Sequence, residues 1–353
     1  MGFACLSRKS TIQHFRICAT HKVLPLLKAP DGIRHGAVLL IEGRKNTLMK
    51  IRPETAADYA ALARLNILAF HERIDESHLV SLVRQRRAYD PDLCLVAELD
   101  GQIAGHIMFN PMRIRLMGQT LDAVSLAPVA VLPGYQRQGI GRALIEAGHK
   151  VVRDKGYGVS LLLGHTDYYP KFGYVMGLFG MASVEVDSEA EGAPADSLTV
   201  RTVTEAALPA LMALWLHEEG GVDFSAEPEP TLIDWLSPNP AVQPRIYERD
   251  GQIVGYTRID TRRPHAPLML LSGDALSARQ MIAWCAAQAG QRMLTLPLHP
   301  ASASAAFFNG AKVDPWDAAM AIPLTEDTPL HDFIAQVKSG QRLPGRLIWP
   351  SVF

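Results

Sequence analysis

Cysteine is scarce and unpatterned: Cys5, Cys18, Cys94 and Cys285 are the only four in 353 residues, and none stand in C-x-x-C spacing. That argues against a disulfide frame or a thiolate zinc site and for a reducing compartment, here read as cytoplasmic. Long apolar runs are missing too, since no stretch approaches the roughly 18 to 20 residues of a membrane span. Net charge is almost nil, with 35 Lys and Arg against 36 Asp and Glu. The overall basic footprint of a nucleic-acid binder is therefore absent. The balance hides a gradient, because residues 1–48 hold eight basic and two acidic side chains. What is plentiful is apolar side chain, 48% of the chain, punctuated by 27 Gly and 24 Pro. At this length the expectation is a globular protein of two domains.

Residues 1–48 show no sustained periodicity and read as a basic extension outside the fold. A new pattern starts at Met49. Thr55 with Asp58 forms a capping-box spacing, and Tyr59, Leu62, Leu65 and Ala69 recur at helical intervals. A second helix is expected over Ser77–Arg87. Leu93–Leu99 and Ile103–Phe109, joined by Asp100-Gly101, read as a hairpin. Val124–Val131, a Gly-rich loop, a helix with Ile140, Leu144, Ala147 and Val151 on one face, and the strand Val159–Leu163 make a βαβ unit. The acidic stretch 184–198 reads as a linker. Beyond it, Val200-Arg201 and Thr204 echo Ile51-Arg52 and Thr55, and Asp250-Gly251-Gln252-Ile253 echoes Asp100-Gly101-Gln102-Ile103. The repeat offset of about 150 residues points to an internal duplication: 49–183 and 199–324, with a tail over 325–353.

The sharpest segment is Leu132-Pro133-Gly134-Tyr135-Gln136-Arg137-Gln138-Gly139-Ile140-Gly141-Arg142, set between strand and helix. Glycines there allow close backbone approach, and the first N–H groups of a helix lack internal partners. With the helix dipole and the Arg137 and Arg142 charges, the segment is suited to a diphosphate. A Rossmann fingerprint needs a small residue where Leu144 stands, and a P-loop needs Gly-Lys-Ser/Thr, so both nucleotide motifs fail. Pro128 cannot donate to a ladder and predicts an edge or a bulge. A bulge would splay this strand from the next and free backbone groups of Val129, Ala130 and Val131. An extended ligand with amides along an arm and a diphosphate at one end fits that gap, which is what coenzyme A offers.

Gln136-x-x-Gly139-x-Gly141 after one strand, then Tyr168-Tyr169-Pro170-Lys171-Phe172-Gly173-Tyr174 after the next, resembles the GNAT superfamily of acyl-CoA-dependent N-acetyltransferases. The likeness covers about residues 49–183. It implies an α/β (α+β) fold, a GNAT-like mixed twisted sheet flanked by helices, here as two tandem domains with the second degenerate. It also implies an acyltransferase of class EC 2.3.1.- that moves an acetyl group from acetyl-CoA, as cosubstrate and without metal, to a primary amine by direct attack on the thioester. The coenzyme would lie on Val129, Ala130, Val131, Gln136, Arg137, Gln138, Gly139, Ile140, Gly141 and Arg142. By the same resemblance Tyr169, with Tyr168 as fallback, faces the leaving sulfur, and a backbone N–H near Val129 polarises the carbonyl. Tyr174 stands where the family usually has Phe.

Where many relatives carry a glutamate, this strand has Ser125, so a base is left open among His71, Glu72, Asp75, His106 or water. His165-Thr166-Asp167 reads as a turn, because no His-Glu-x-x-His or Gly-x-Ser-x-Gly accompanies it. In the second half Asp274 would repel a diphosphate, and Trp215, Trp235 and Tyr256 are candidate acceptor contacts or core. The acceptor is a small-molecule or peptide amine; nucleic acid and membrane are not expected, and oligomeric state is left open. The alternatives are a non-catalytic acyl-CoA-binding regulatory module and an acyltransferase for longer chains.

Overall fold

The computed structural model describes residues 39–42, 48–192 and 198–346. Its first half runs β1 (Leu39–Glu42), β2 (Leu48–Pro53), α1 (Tyr59–Ala69), α2 (Asp75–Val83), β3 (Cys94–Leu99), β4 (Gln102–Leu116), β5 (Gln119–Val131), α3 (Ile140–Asp154), β6 (Val159–Leu163) and β7 (Phe179–Asp187). The second half runs β8 (Thr199–Arg201), α4 (Leu208–Glu219), β9 (Phe224–Glu227), α5 (Leu232–Trp235), β10 (Val242–Arg249), β11 (Gln252–Asp260), β12 (Met269–Ser272), α6 (Ala275–Ala289), β13 (Met293–Leu296), β14 (Lys312–Pro315), β15 (Ala319–Pro323), α7 (Leu330–Lys338) and β16 (Gly345–Arg346). These strands form one mixed sheet of twelve and a second of four, β12-β11-β10-β8. The expected mixed sheet flanked by helices is what the chain adopts. Among the described residues no helix is long and apolar enough to cross a membrane.

Local chemistry sets the entry to the fold. Thr55, two residues past β2, caps the next turn in extended backbone, and Asp58 accepts from both its N–H and its hydroxyl. Arg52 closes on Asp58 with two hydrogen bonds, at 2.7 and 2.9 Å, and on Glu98 of β3 at 3.1 Å. On one face of the sheet α3 buries Ile140, Leu144, Ile145 and Val152 against Ile51, Leu95, Ala97, Ile107 and Phe109. Two glycines permit the close approach. A Cβ on Gly105 would meet Ile140 and Leu144 at 2.6 and 2.9 Å, and one on Gly148 would meet Phe109 at 2.2 Å. The opposite face carries α1 over β4 and β5, with Leu65 against Ala130 and Leu132, and α2 over Cys94 of β3 and Met108 of β4.

The expected bulge is present. Ile107 pairs with Val129 and Phe109 with Leu126, so Ala127 and Pro128 together oppose Met108. The peptide between those two residues is cis. Beside it, β5 and β6 pair in parallel only through Ala123–Ser125 and Val159–Leu161. Beyond Ser125 the ladder between the two strands stops, which leaves that edge of residues 126–131 unpaired.

Three boundaries differ from the sequence reading. Leu39–Glu42 of the presumed extension pairs antiparallel with β2, as an added edge strand. The hairpin strand continues past Phe109 to Leu116, because Pro111 falls between the last β3 partner, at Met108, and the first β9 partner, at Arg113, where its N–H is not needed. The presumed linker begins as strand: Val184 and Val186 are buried while Glu185 bonds Thr295 and Asp187 bonds Arg292. An acidic outer face hid that alternation. The expected tail carries α7, with Leu330 and Phe333 in the core, and its end at Trp349-Pro350 lies outside the described residues.

The halves share geometry. Asp100-Gly101 and Asp250-Gly251 have φ of 50° and 79° against 52° and 76°. Both hairpins shift register at the same place, between Ala97 and Glu98 and between Tyr247 and Glu248. Gly105 lies under α3, and Gly255 lies under Met281 of α6. The halves also exchange strands. The strand after α3, β6, pairs with β15 of the second half; the strand after α6, β13, pairs with β7 of the first. Neither half completes its sheet alone.

Candidate active site

Pro133 starts a short 3-10 turn after β5, and the chain then needs left-handed backbone at Arg137, φ 61°, and Gly139, φ 91°. Gly139 is the N-cap of α3 and offers no side-chain acceptor. The first internal bond of the helix is Ala143 N–H to Gly139 carbonyl, 3.0 Å. The N–H groups of Ile140, Gly141 and Arg142 are thus left for an outside acceptor, at the positive end of a 15-residue helix. Residues 136–139 are exposed around them. Gln138 folds back on the Gly134 carbonyl, and Gln136 on that of Val131, both at 3.2 Å. The Ile140 side chain is buried, so only its N–H belongs to the cradle.

The cleft wall follows from strand alternation. Leu132 N–H bonds Ala104 of β4 at 2.9 Å, so the backbone groups of Leu132 and Ala130 face β4. Those of Val129 and Val131 turn the other way, into the gap left by β6. The Gln136 bond to Val131 carbonyl agrees with that sense. Ala130 therefore departs from the sequence expectation: its backbone serves the ladder opposite His106.

The aromatic segment closes the far side. Tyr169–Phe172 form a short 3-10 helix that ends at Gly173, φ 94°. The Tyr168 hydroxyl reaches the helix terminus, 2.9 Å from where a Cβ on Gly141 would sit. The Tyr169 ring lies on Gly164, whose added Cβ would meet it at 2.2 Å, and packs edge-on to Tyr168 and Tyr174. Burial pushes both phenols above the usual tyrosine range, Tyr169 the further. At neutral pH each is a donor. Tyr174, in place of the family Phe, is buried with its hydroxyl 3.1 Å from His149 Nε2 and 2.8 Å from Ser160 Oγ. The extra oxygen is thus partnered, and burial lowers the His149 pKa to about 4.

The candidate bases do not converge. His71 and Glu72 are exposed in a left-handed turn, and Asp75 pairs with Arg73. His106 is buried, its Nε2 3.3 Å from Glu54, which Arg84 grips with two bonds and Tyr89 with one. Burial raises the Glu54 pKa, but the neighbouring His106 and the hydrogen bonds of Arg84 and Tyr89 outweigh it and hold the carboxyl at about 2. His165 and Asp167 are exposed. In the second half, Trp215, Trp235 and Tyr256 are core. The α6 N-terminus is already occupied: Asp274 accepts from Ser277 N–H at 2.7 Å and pairs with Arg249 at 2.8 Å.

Sequence reasoning overlooked Asn110. It is buried beside the bulge and donates to the Ala127 carbonyl at 3.1 Å. A polar residue ahead of a proline inside an otherwise apolar strand was the available signal.

A family model described as Acetyltransferase (GNAT) domain matches residues 50–177. A GNAT family acetyltransferase from Brucella melitensis, solved in complex with acetyl-CoA, is 36% identical over 36% of this chain and 82% of that one, with a TM-score of 0.33. The chain belongs to the GNAT superfamily. The uncharacterized N-acetyltransferase YjhQ of Escherichia coli K12 is 36% identical over 101 residues, 28% of this chain and 55% of that protein. The chain thus spans about half the length of the curated relatives it matches first. A GCN5-related N-acetyltransferase from Anabaena variabilis shares the fold over 78% of this chain and 73% of that one, with a TM-score of 0.62 and 15% identity. The shared fold extends beyond residues 50–177.

Proposed function

We propose that this GNAT protein transfers an acetyl group from acetyl-CoA to a primary amine of a small molecule or peptide, by direct attack on the thioester. The observation that carries the reading is the uncapped α3 N-terminus beside a cleft whose wall presents Val129 and Val131 backbone groups. The diphosphate takes the N–H groups of Ile140, Gly141 and Arg142, with Arg137 and Arg142 as nearby charges. The pantetheine amides pair along Val129 and Val131. Bound there, the thioester supplies the acyl group. The Val129 N–H orients and polarises its carbonyl, and Tyr169 donates to the sulfur as the C–S bond breaks and charge develops. A thiolate whose conjugate thiol has a pKa of about 8.5 cannot draw the proton fully from a phenol held above ~10, so a hydrogen bond is the favoured role. The amine loses its proton to water.

In the same reading the chain is a tandem of two GNAT-like units, and the second is a structural partner. Its matching hairpin, bulge and helix support a common origin, and Asp274 takes the place an anion would need. A reducing, cytoplasmic setting accords with Cys94 and Cys285, both free and buried.

The test is thiol release from acetyl-CoA against a panel of amines. Amine-dependent release supports the proposal. Binding of acetyl-CoA with no amine-dependent release would instead favour a regulatory acyl-CoA-binding module, and release with longer acyl chains alone would reassign the donor.

A further inference from the structure

Asn110 on β4 stands directly across from Ser125 on β5, next to the bulge. The residue is 5% exposed. The Nδ2 group lies 3.1 Å from the Ala127 carbonyl and 3.4 Å from Ser125 Oγ. A carbonyl oxygen only accepts, so the amide nitrogen must be the near atom, and this fixes which way the amide faces. Its Oδ1 is buried without a hydrogen-bond partner among the described residues. The bulge has taken Ala127 and Pro128 out of one-to-one pairing with β4, and a freed buried carbonyl needs a donor. Asn110 is that donor.

The grip has a geometric consequence two residues along. The Ala127 carbonyl belongs to the peptide plane that ends at Pro128. The Val129 N–H belongs to the next plane. Only the φ and ψ of Pro128 lie between them, and the ring fixes φ. Holding the first plane therefore leaves a single torsion to aim the Val129 N–H into the cleft. Proline has no N–H of its own to contribute. A small error in that direction matters, because near-attack geometry tolerates little displacement.

We propose that Asn110 is a positioning residue for acyl transfer: by holding the Ala127 carbonyl it aims the Val129 N–H at the thioester carbonyl. The inference rests on the acetyl-CoA reading above. It assigns a role to a side chain that need not touch the coenzyme.

Asn110→Asp is the discriminating variant, since it is close to isosteric. As a carboxylate it cannot donate to the Ala127 carbonyl; as a carboxylic acid it can. The kcat ratio of this variant to the wild type should be down about tenfold or more at pH 8, within the range set by a misplaced oxyanion donor. It should recover as the pH falls toward 5, while CoA affinity stays within about threefold. Taking the ratio cancels protonation of the acceptor amine. Asn110→Ala, which carries no charge, should lose kcat to a similar extent at every pH. Infrared difference spectra of bound acetyl-CoA labelled with 13C at the acetyl carbonyl give a direct readout: the downshift seen in the wild type should vanish in Asn110→Asp at pH 8 and return on acidification. A flat, near-unity ratio for Asn110→Asp, or full kcat in Asn110→Ala, overturns the assignment. If the wild type itself binds no acetyl-CoA, the underlying functional reading fails instead.

Discussion

The Tyr168 hydroxyl and Gly141 meet at the N-terminus of α3, where a Cβ at position 141 would stand 2.9 Å from that oxygen. The aromatic segment after β6 and the anion cradle are therefore one surface. They are joined at a point where a side chain at position 141 would displace the Tyr168 hydroxyl.

Gly141→Glu puts a carboxylate at the cradle. Isothermal titration should show CoA affinity reduced by about 100-fold or more, because like charges brought together cost several kcal/mol. Gly141→Ala should be milder, since the atom it meets is the far end of a tyrosine that can swing aside. Unchanged affinity in Gly141→Glu would put the diphosphate elsewhere.

Tyr169→Phe removes the donor proposed for the sulfur and leaves the ring on Gly164. The expected result is a kcat lower by about 100-fold with KM little changed, the pattern of an interaction made in the transition state. If Tyr168→Phe has that effect and Tyr169→Phe does not, the roles of the two tyrosines are reversed.

The strand exchange makes the halves inseparable. A fragment of residues 49–183 lacks β15, which covers β6 over Val159–Leu163, and lacks β9, which extends the sheet from β4. It should be insoluble or lack a cooperative thermal transition, while the full chain unfolds cooperatively. A soluble, folded fragment would contradict the topology.

Glu54 makes acid stability measurable. Its carboxyl titrates at about 2 when folded, against 4.5 as the reference value. The folded value is depressed, so its contribution is complete above about pH 4.5 and is lost as the pH falls toward 2. That contribution is on the order of 3 kcal/mol. Glu54→Gln should lower stability at pH 7 by a few kcal/mol, since Arg84 is left buried without its counter-charge. The gap between variant and wild type should narrow below pH 4. A gap independent of pH in urea titrations would show that Glu54 does not titrate as described.

Much of this was legible in the sequence because it rests on local rules. Pro128 announced an edge or a bulge, Gly139 and Gly141 the close backbone approach at the start of α3, and Thr55 with Asp58 the entry to α1; each needs only its own neighbours. The second-half echo at Asp250-Gly251 was legible for the same reason. What escaped notice depends on partners far along the chain. Glu185 and Asp187 look like linker until Thr295 and Arg292 are known to bond them. Asn110 looks like a strand end until β9 is found to continue the sheet beyond it. Ala130 was grouped with its neighbours because alternation on the cleft side depends on which residue bonds β4.

The central claim is that the N-terminal amides of α3 hold a diphosphate. The most direct measurement is a crystal structure of the full chain grown with CoA. The account predicts the diphosphate within hydrogen-bonding distance of the Ile140, Gly141 and Arg142 N–H groups, with the pantetheine arm along Val129 and Val131. CoA bound at any other surface, with those amides left to water, would contradict it.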